Sequence, residues 1–454
     1  MKRILLVLSL PVLLLSKTVS FNEALNLTLL NNKELKAKKL DIKRSKLELK
    51  EAKDYNYGNL IFNENIIRTN SAGYVFGMKL ASREATFGDF GFNEFDMSGK
   101  TNPLPIAPDD LNNPDARTNY ETKLTYKVPI YTGEKLQNAQ KMAKLQILAQ
   151  KSKYNYDEKA LGLEVLKAYN GAVASKEFIK ATTKAKEATN SFVNFASELF
   201  AEGLVTSIDV KQAKVYDLGV DTKMLEAQNR YELALSYLKF LTNDNSITDV
   251  NNFEEILISS SSLSVLQHQA HKNREDFAWM KYNIDTMKTK IDFDGADLYP
   301  TIGAQLEVGN NDNDFNSFDG KHDYYLGAIG LSYTLFDGGI ASLKKQKAKI
   351  AYNKTQHYFE YMKDGISLEV EKNILTLQTK SKVLIQKIKA QNLSDEVLIQ
   401  SSEMYKNHLI NMSNLLMQQA NQQKAQAQTI MAKYEETLAA ATLKISLGQA
   451  LKLK

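Results

Sequence analysis

The chain has 454 residues, 43% hydrophobic and 24% charged, with 58 Lys+Arg against 53 Asp+Glu and a net charge of +5. That composition suits a chain with a core to bury and excludes a disordered polymer. With no cysteine, disulfide scaffolds, thiolate metal centres, thiol nucleophiles and a lipid anchor on a mature N-terminal cysteine are all ruled out.

The first predicted element is a secretory leader over residues 1–20. Lys2 and Arg3 form a basic start, and Ile4 to Leu15 is an apolar run broken only by Ser9 and Pro11. The run falls short of the roughly 20 residues a bilayer span needs. Small residues follow at Ser16 and Ser20, so the cut is expected after one or the other. A cut after Ser20 would take Lys2, Arg3 and Lys17 with it, leaving a nearly neutral chain. No later stretch approaches 20 apolar residues, so any membrane span must be built of strands.

Six helices are predicted, at about 21–57, 133–201, 205–243, 262–298, 337–403 and 411–452. Of the 7 prolines, Pro11 is in the leader, Pro103, Pro105, Pro108 and Pro114 crowd one segment, and Pro129 and Pro300 stand alone. None falls within 133–298 or 301–454, where proline would break a helix. Ala181, Ala185, Ala188, Phe192, Phe195 and Leu199 follow a 4, 3 rhythm, as do Val220, Met224, Ala227, Tyr231, Ala234, Leu238 and Leu241. These are heptad seams, and their alanines allow close helix approach. The two longest helices would span about 100 Å each and the others about 55–65 Å. The polar stretch 243–262 reads as a linker at mid-height.

Alternating segments lie between the helices. Tyr120, Thr122, Leu124, Tyr126, Val128 and Ile130 face away from Asn119, Glu121, Lys123, Thr125 and Lys127. Ile302, Ala304, Leu306 and Val308 alternate with Thr301, Gly303, Gln305 and Glu307. Tyr325, Gly327, Ile329, Leu331, Tyr333 and Leu335 form a third apolar face, and Leu60 to Thr69 a less regular fourth segment. Segments of about ten residues with one apolar and one polar face suit the strands of a membrane β-barrel. Tyr55, Tyr57, Tyr131, Tyr299 and Phe336 sit at the helix–strand junctions, and Tyr74, Phe76, Tyr120, Tyr324 and Tyr325 toward the other ends. Two aromatic girdles are expected at two membrane interfaces.

The chain also repeats itself. Ile130-Tyr131-Thr132-Gly133 and Leu335-Phe336-Asp337-Gly338 are 205 residues apart, as are the stretches from Phe200 and Tyr405, and Asp209-Val210 and Asn414-Leu415. Earlier in the chain the offset is 242, pairing Glu34-Leu35 with Asp276-Phe277 and Tyr57-Gly58 with Tyr299-Pro300. The difference is a proline-rich insertion between residues 58 and 130. Each half therefore runs helix, strand, loop, strand, long helix, turn, helix.

This order resembles the TolC family of outer-membrane efflux and secretion channels over essentially the whole mature chain. Leu335-Phe336-Asp337-Gly338-Gly339 looks like that family's strand-to-helix swivel, and Gly203-Leu204-Val205 with Asp209-Val210 like its periplasmic tip. The opening Phe21-Asn22-Glu23-Ala24-Leu25 with Asn31-Asn32-Lys33-Glu34-Leu35, and the repeat itself, complete the match. The resemblance implies a homotrimer whose four strands per chain close one twelve-stranded barrel, continued by a long α-helical coiled-coil barrel. The first repeat would cover 21–242, with a β-hairpin at about 59–131 and a long loop at 82–117, and the second 263–454, with a hairpin at about 299–336. Four strands cannot close alone, and open edges are not tolerated in lipid.

By the same resemblance Asp209 belongs to the periplasmic entrance with Tyr405, and three copies of Asp209 would make a charged ring. Its alternative reading is a helix N-terminal aspartate held by the helix dipole; that of Tyr405 is a core aromatic. Many members carry two acidic positions at the second tip, where this chain has Asn414 and Met417. Gly203-Leu204 and His408-Leu409 would meet a periplasmic adaptor, with His408 replacing the usual glycine. Gly133, Gly338 and Gly339 would form the swivel, where strand turns into helix.

Other candidates fall to plainer readings. His268 and His271 lack a third metal ligand. Asp312, Asp314, Asp319 and Asp323 lack the glycine of a calcium loop and read as an exposed loop. The lysines from Lys33 to Lys53 read as a solvated helix face, not a nucleic-acid site. With no phosphate loop, nucleophile elbow or catalytic carboxylate pair, no enzyme activity, cofactor or metal is expected. The expected function is a passive exit duct of a tripartite efflux pump or type I secretion system, set in outer-membrane lipid and driven by inner-membrane partners through an adaptor. The alternative is a periplasmic coiled-coil scaffold or adaptor without a channel.

Overall fold

The computed structural model describes residues 17–451 apart from 95, 97, 259–260 and 316–319, so the expected leader lies, as far as Ser16, outside the described residues, as does Asp319. In chain order the elements are β1 (Lys17–Val19), α1 (Phe21–Asn31), α2 (Lys33–Asp54), β2 (Asn59–Thr69), α3 (Ala72–Ala81), α4 (Asp109–Asn112), β3 (Arg117–Tyr131), α5 (Lys135–Ala201), α6 (Ser207–Thr242), β4 (Ile247–Val250), α7 (Leu263–Asn273), α8 (Glu275–Gly295), β5 (Thr301–Asp312), β6 (Asp323–Ser332), α9 (Ile340–Lys406) and α10 (Met412–Ser446). Two 3-10 turns, Tyr55–Tyr57 and Ala296–Leu298, precede β2 and β5.

The repeat is visible element by element. Both α5 and α9 have 67 residues, and they begin 205 positions apart. The single helices expected at 21–57 and 262–298 are each broken, at Asn32 and Arg274, which are 242 positions apart. At Asn32 the backbone turns extended (ψ 126°). Its Oδ1 accepts the Leu35 N–H at 3.0 Å, capping α2, while its Nδ2 donates to the Leu241 carbonyl at 3.1 Å. Arg274 turns extended too (ψ 125°), its guanidinium held by Asp276 and Glu369 at 2.7 and 2.5 Å. At Asn32 the side chain bonds the backbone of both Leu35 and Leu241, the alternative to the helix ladder that short polar side chains offer.

The chain divides into two compact units. The first comprises the residues up to 44, 147–283 and those from 356 on. The two seams pack inward here. Ala185, Leu199, Val220, Ala227, Leu238 and Leu241 are all buried. One cluster gathers Val19, Phe21, Leu166, Tyr169, Leu238, Ile247 and Val250, a second Ala196, Leu199, Tyr405, Met412 and Leu415, and a third Leu266, Phe277, Ile366, Val370 and Leu443. The stretch 243–262 contains β4, which pairs in parallel with β1. Lys176 donates to both carboxylate oxygens of Asp249 at 2.7 Å, and the Tyr231 hydroxyl joins them at 2.5 Å, fixing β4 against α5 and α6.

The second unit comprises 45–146 and 284–355. Its centre is a four-stranded antiparallel sheet in the order β2-β3-β5-β6, so β2 and β6 are open edges. The proline-rich insertion carries α3, which the sequence reading leaves as connection, and α4. Arg117 ties this insertion to the rim of the sheet, pairing with Glu84 and donating to the Ser82 hydroxyl at 2.9 Å. Among the described residues no helix is long and apolar enough to cross a membrane.

Candidate channel surfaces

The strand registers sort side chains into two faces. One carries, row by row, Ile302 and Leu331; Val128, Ala304 and Ile329; Leu60, Tyr126, Leu306 and Gly327; and Phe62, Leu124, Val308 and Tyr325. Most of the large side chains among them stand exposed, Tyr325 at 87%, while Tyr126, Val128 and Ile302 are half-buried. Four rows extend over about 20 Å of strand at ~3.4 Å per residue, on the order of the apolar band of a membrane barrel. The next row, Glu64, Thr122, Asn310 and Asp323, is polar and ends the band. An apolar surface of this size has no reason to face water.

The opposite face is a polar network. Glu121 accepts from Asn65 Nδ2 at 2.7 Å and from Lys123 Nζ at 3.1 Å. Glu307 accepts from the hydroxyls of Thr125 and Tyr324, both at 3.0 Å. Tyr324 thus belongs to this face and not to a girdle, whereas Tyr325 points to the apolar one. Tyr55, Tyr57, Tyr299, Tyr333 and Phe336 lie exposed beyond the ends of the strands. Tyr74 and Phe76 sit in α3, where Phe76 packs edge-on against Phe90 at 5.0 Å.

Where strand gives way to helix, the chain needs left-handed backbone. Gly133 has φ 61°, and Glu134 after it φ 67°, so α5 starts at Lys135 and not at 133. Gly338 and Gly339 have φ 70° and 84°, and α9 starts at Ile340. A Cβ on Gly133 would stand 2.5 Å from the Ala296 carbonyl oxygen, while Gly338 and Gly339 have open space. Asp337 caps α9, accepting the Gly339 and Ala341 N–H groups at 2.8 and 2.7 Å. Asp297, which no pattern in the sequence marks, binds Lys135 at 2.7 Å and Lys344 at 3.0 Å and so ties together the starts of both long helices. Those two lysines, Lys135 first, hold its carboxyl below the usual range.

The two helical turns are built alike. Gly203 (φ 75°) donates to the Phe200 carbonyl at 3.0 Å, and Leu204 to Leu199 at 2.9 Å. His408 (φ 57°) donates to Tyr405 at 3.0 Å, and Leu409 to Met404 at 2.8 Å. This is the same two-bond helix stop twice, and it leaves Leu204 and Leu409 exposed. The next helices start on opposite halves of a capping box. Asp209 Oδ2 accepts the Thr206 N–H and hydroxyl at 3.0 and 2.8 Å, and Asn411 Oδ1 accepts the Asn414 N–H at 2.9 Å. Asp209 is half-buried, and Asn414 and Met417 are exposed. Tyr405 is buried edge-on to Phe195 at 5.8 Å; burial, and then the Asp209 charge, push its hydroxyl pKa up.

Two groups given plainer readings have partners in the structure, and Asp312, expected in an exposed loop, is instead buried at the end of β5. His271 faces the Lys363 carbonyl and the Ser367 hydroxyl. Glu84, Asp312 and His322 bring their ligand atoms within 4.8 Å of one another, the one such grouping among the described residues. The Arg117 guanidinium already sits on Glu84, so the cation in this cluster is the protein's own.

An open membrane-type sheet and two long helical hairpins, repeated in tandem, define the class: a β-barrel outer-membrane protein with an extensive helical part. The chain belongs to the outer membrane efflux protein family, whose model matches residues 94–244 and 266–449, about three-quarters of its length. No curated protein matches it. Among solved structures its fold is similar to that of CusC, studied for folding and transmembrane channel formation (12% identity, TM-score 0.78, 95% of this chain and 92% of that one). It is similar also to the VceC outer membrane protein of Vibrio cholerae (14%, 0.74, 95% and 97%) and the CmeC outer membrane channel of Campylobacter jejuni (13%, 0.75, 94% and 85%). The chain is an outer-membrane protein that extends into the periplasm.

Proposed function

We propose that the chain is one third of a homotrimeric exit duct, a passive conduit through which an inner-membrane pump or type I secretion machine, joined by a periplasmic adaptor, discharges its cargo. The observation that carries this reading is the open sheet. Its apolar face suits lipid and its polar face suits water, but β2 and β6 are unpaired edges. Unpaired backbone in lipid costs several kcal/mol per group. Joining β6 of one copy to β2 of the next removes every edge once three copies close into twelve strands. The helices support the same assembly. Val215, Leu218, Leu225, Leu233, Tyr237 and Phe240 form an exposed apolar stripe on α6, available to a neighbouring copy. Exposed Leu204 and Leu409 at the turns offer apolar anchors to an adaptor. A coiled-coil scaffold needs neither the sheet nor its two faces.

The test is conductance in planar bilayers. Protein purified from outer membranes is expected to give discrete trimer-sized channels, and cysteines placed on β2 and β6 to cross-link subunits into a ladder ending at three. Well-folded trimers without conductance under any gating condition would remove the duct from consideration. On this reading residues 1–16 belong to the export leader.

A further inference from the structure

β1 has three residues, yet the fold holds it from every side. The Lys17 N–H donates to the Ser246 carbonyl at 3.3 Å, and the Val19 carbonyl accepts the Asn251 N–H at 3.2 Å. Lys17, Thr18 and Val19 pair with Ile247, Asp249 and Val250. Val19 is wholly buried in the cluster that contains Phe21, Leu238, Ile247 and Val250. Lys17 Nζ lies 3.6 Å from Asp244. Ser20 then caps α1. Its N–H and hydroxyl donate to Glu23 Oε2 at 2.8 and 2.9 Å, and its oxygen accepts the Glu23 N–H at 3.3 Å.

From this we infer the processing site: the leader is removed by hydrolysis of the Ser16–Lys17 peptide bond, and Lys17 is the first residue of the mature protein. The inference rests on reading residues 1–16 as an export leader. Of the two small residues that could precede the cut, Ser20 is excluded by what its removal would do. A cut there would strip β1 from β4, uncover Ile247 and Val250, and delete the cap of α1. It would also place an ammonium on Phe21, at the positive end of the helix dipole. A cut after Ser16 keeps every one of these contacts. Water adds across the Ser16–Lys17 bond, Ser16 leaves as the carboxylate end of the leader, and the Lys17 nitrogen takes the proton. The new ammonium still donates to the Ser246 carbonyl, and the Lys17 side chain keeps its place 3.6 Å from Asp244. The catalyst is a leader peptidase, which favours small residues at the first and third positions before the cut; Ser16 fills the first, and Leu14 stands at the third.

The experiment is N-terminal sequencing and intact mass of the protein purified from outer membranes, beside the variants Ser16→Tyr and Ser20→Tyr. Lys17 is expected as the first residue in wild type and in Ser20→Tyr, while Ser16→Tyr loses the mature form and accumulates uncleaved precursor. A wild-type chain beginning at Phe21, or at any residue past Met1 other than Lys17, overturns the site. So does normal processing of Ser16→Tyr. Intact Met1 on outer-membrane protein overturns the leader reading itself. Val19→Asp adds a readout of retention: it is expected to lower the heat stability of the mature protein, and unchanged heat stability counts against a buried Val19.

Discussion

A histidine in left-handed backbone is an uncomfortable residue, and His408 occupies the place that Gly203 fills in the first repeat. Left-handed geometry costs an L-residue about 1–2 kcal/mol, and glycine returns part of that in chain entropy. His408→Gly is therefore expected to stabilise the second turn by about 0.5–1 kcal/mol. Hydrogen exchange at the Leu409 amide, which donates to Met404 at 2.8 Å, reads this directly as slower exchange. Gly133 is the opposite case. Alanine there meets both the left-handed φ and the Ala296 carbonyl, so Gly133→Ala is expected to cost about 2 kcal/mol or more. Yield of heat-resistant oligomers on gels measures it, with Gly330→Ala as the control, since Gly330 has open space and ordinary backbone. Both positions were legible as glycine or glycine-like from the repeat. The carbonyl behind Gly133 was not, because it comes from a segment 163 residues away in sequence.

At the scale of elements, the insertion holds one contact that depends on pH. Asp89 is held by Lys79, and then by the Thr86 N–H, so its pKa falls from 3.8 to about 2. A depressed carboxylate stabilises the fold above its unfolded pKa and loses that contribution as pH falls through the folded one. Protection of the α3 amides from exchange should thus decline between about pH 4 and pH 2. In Asp89→Asn it should start lower and stay flat over that window. The swivels offer a second element-scale test. Valine at both Gly338 and Gly339 forces a β-branched side chain into left-handed backbone twice, and outer-membrane trimer yield is expected to drop sharply. The long helices and the alternating strands were readable because each has a sustained period and no competing partner. The breaks at Asn32 and Arg274 were hidden, since the groups that hold those two side chains, the Leu241 carbonyl and Glu369 among them, are distant in sequence. So did β1 escape: three residues carry no period, and only β4 makes them a strand. Helix α3 was masked by the glycines Gly73 and Gly77, which lower propensity in isolation.

In the whole molecule the proposed duct brings three copies of Asp209 to the periplasmic entrance, where Asn414 and Met417 add no charge. Asp209 also serves as a cap, with Oδ2 accepting both Thr206 donors. An asparagine oxygen can accept the same two bonds, so Asp209→Asn removes the charge while sparing the helix start. Asn414→Asp adds a carboxylate in the first turn of α10, where the helix dipole favours it. The two variants therefore change the entrance charge in opposite directions with little structural penalty. A charged ring sets ion preference through local potential, over a screening length of about 10 Å at 0.1 M salt and about 3 Å at 1 M. Asp209→Asn is expected to lower cation preference at low salt and to match wild type near 1 M. Asn414→Asp is expected to raise cation preference and to make the pore easier for multivalent cations to block. Reversal potentials under a salt gradient measure both. Identical values in all three proteins would move the selective constriction into the barrel, where Lys123 and Lys127 share the polar face with Glu121 and Glu307.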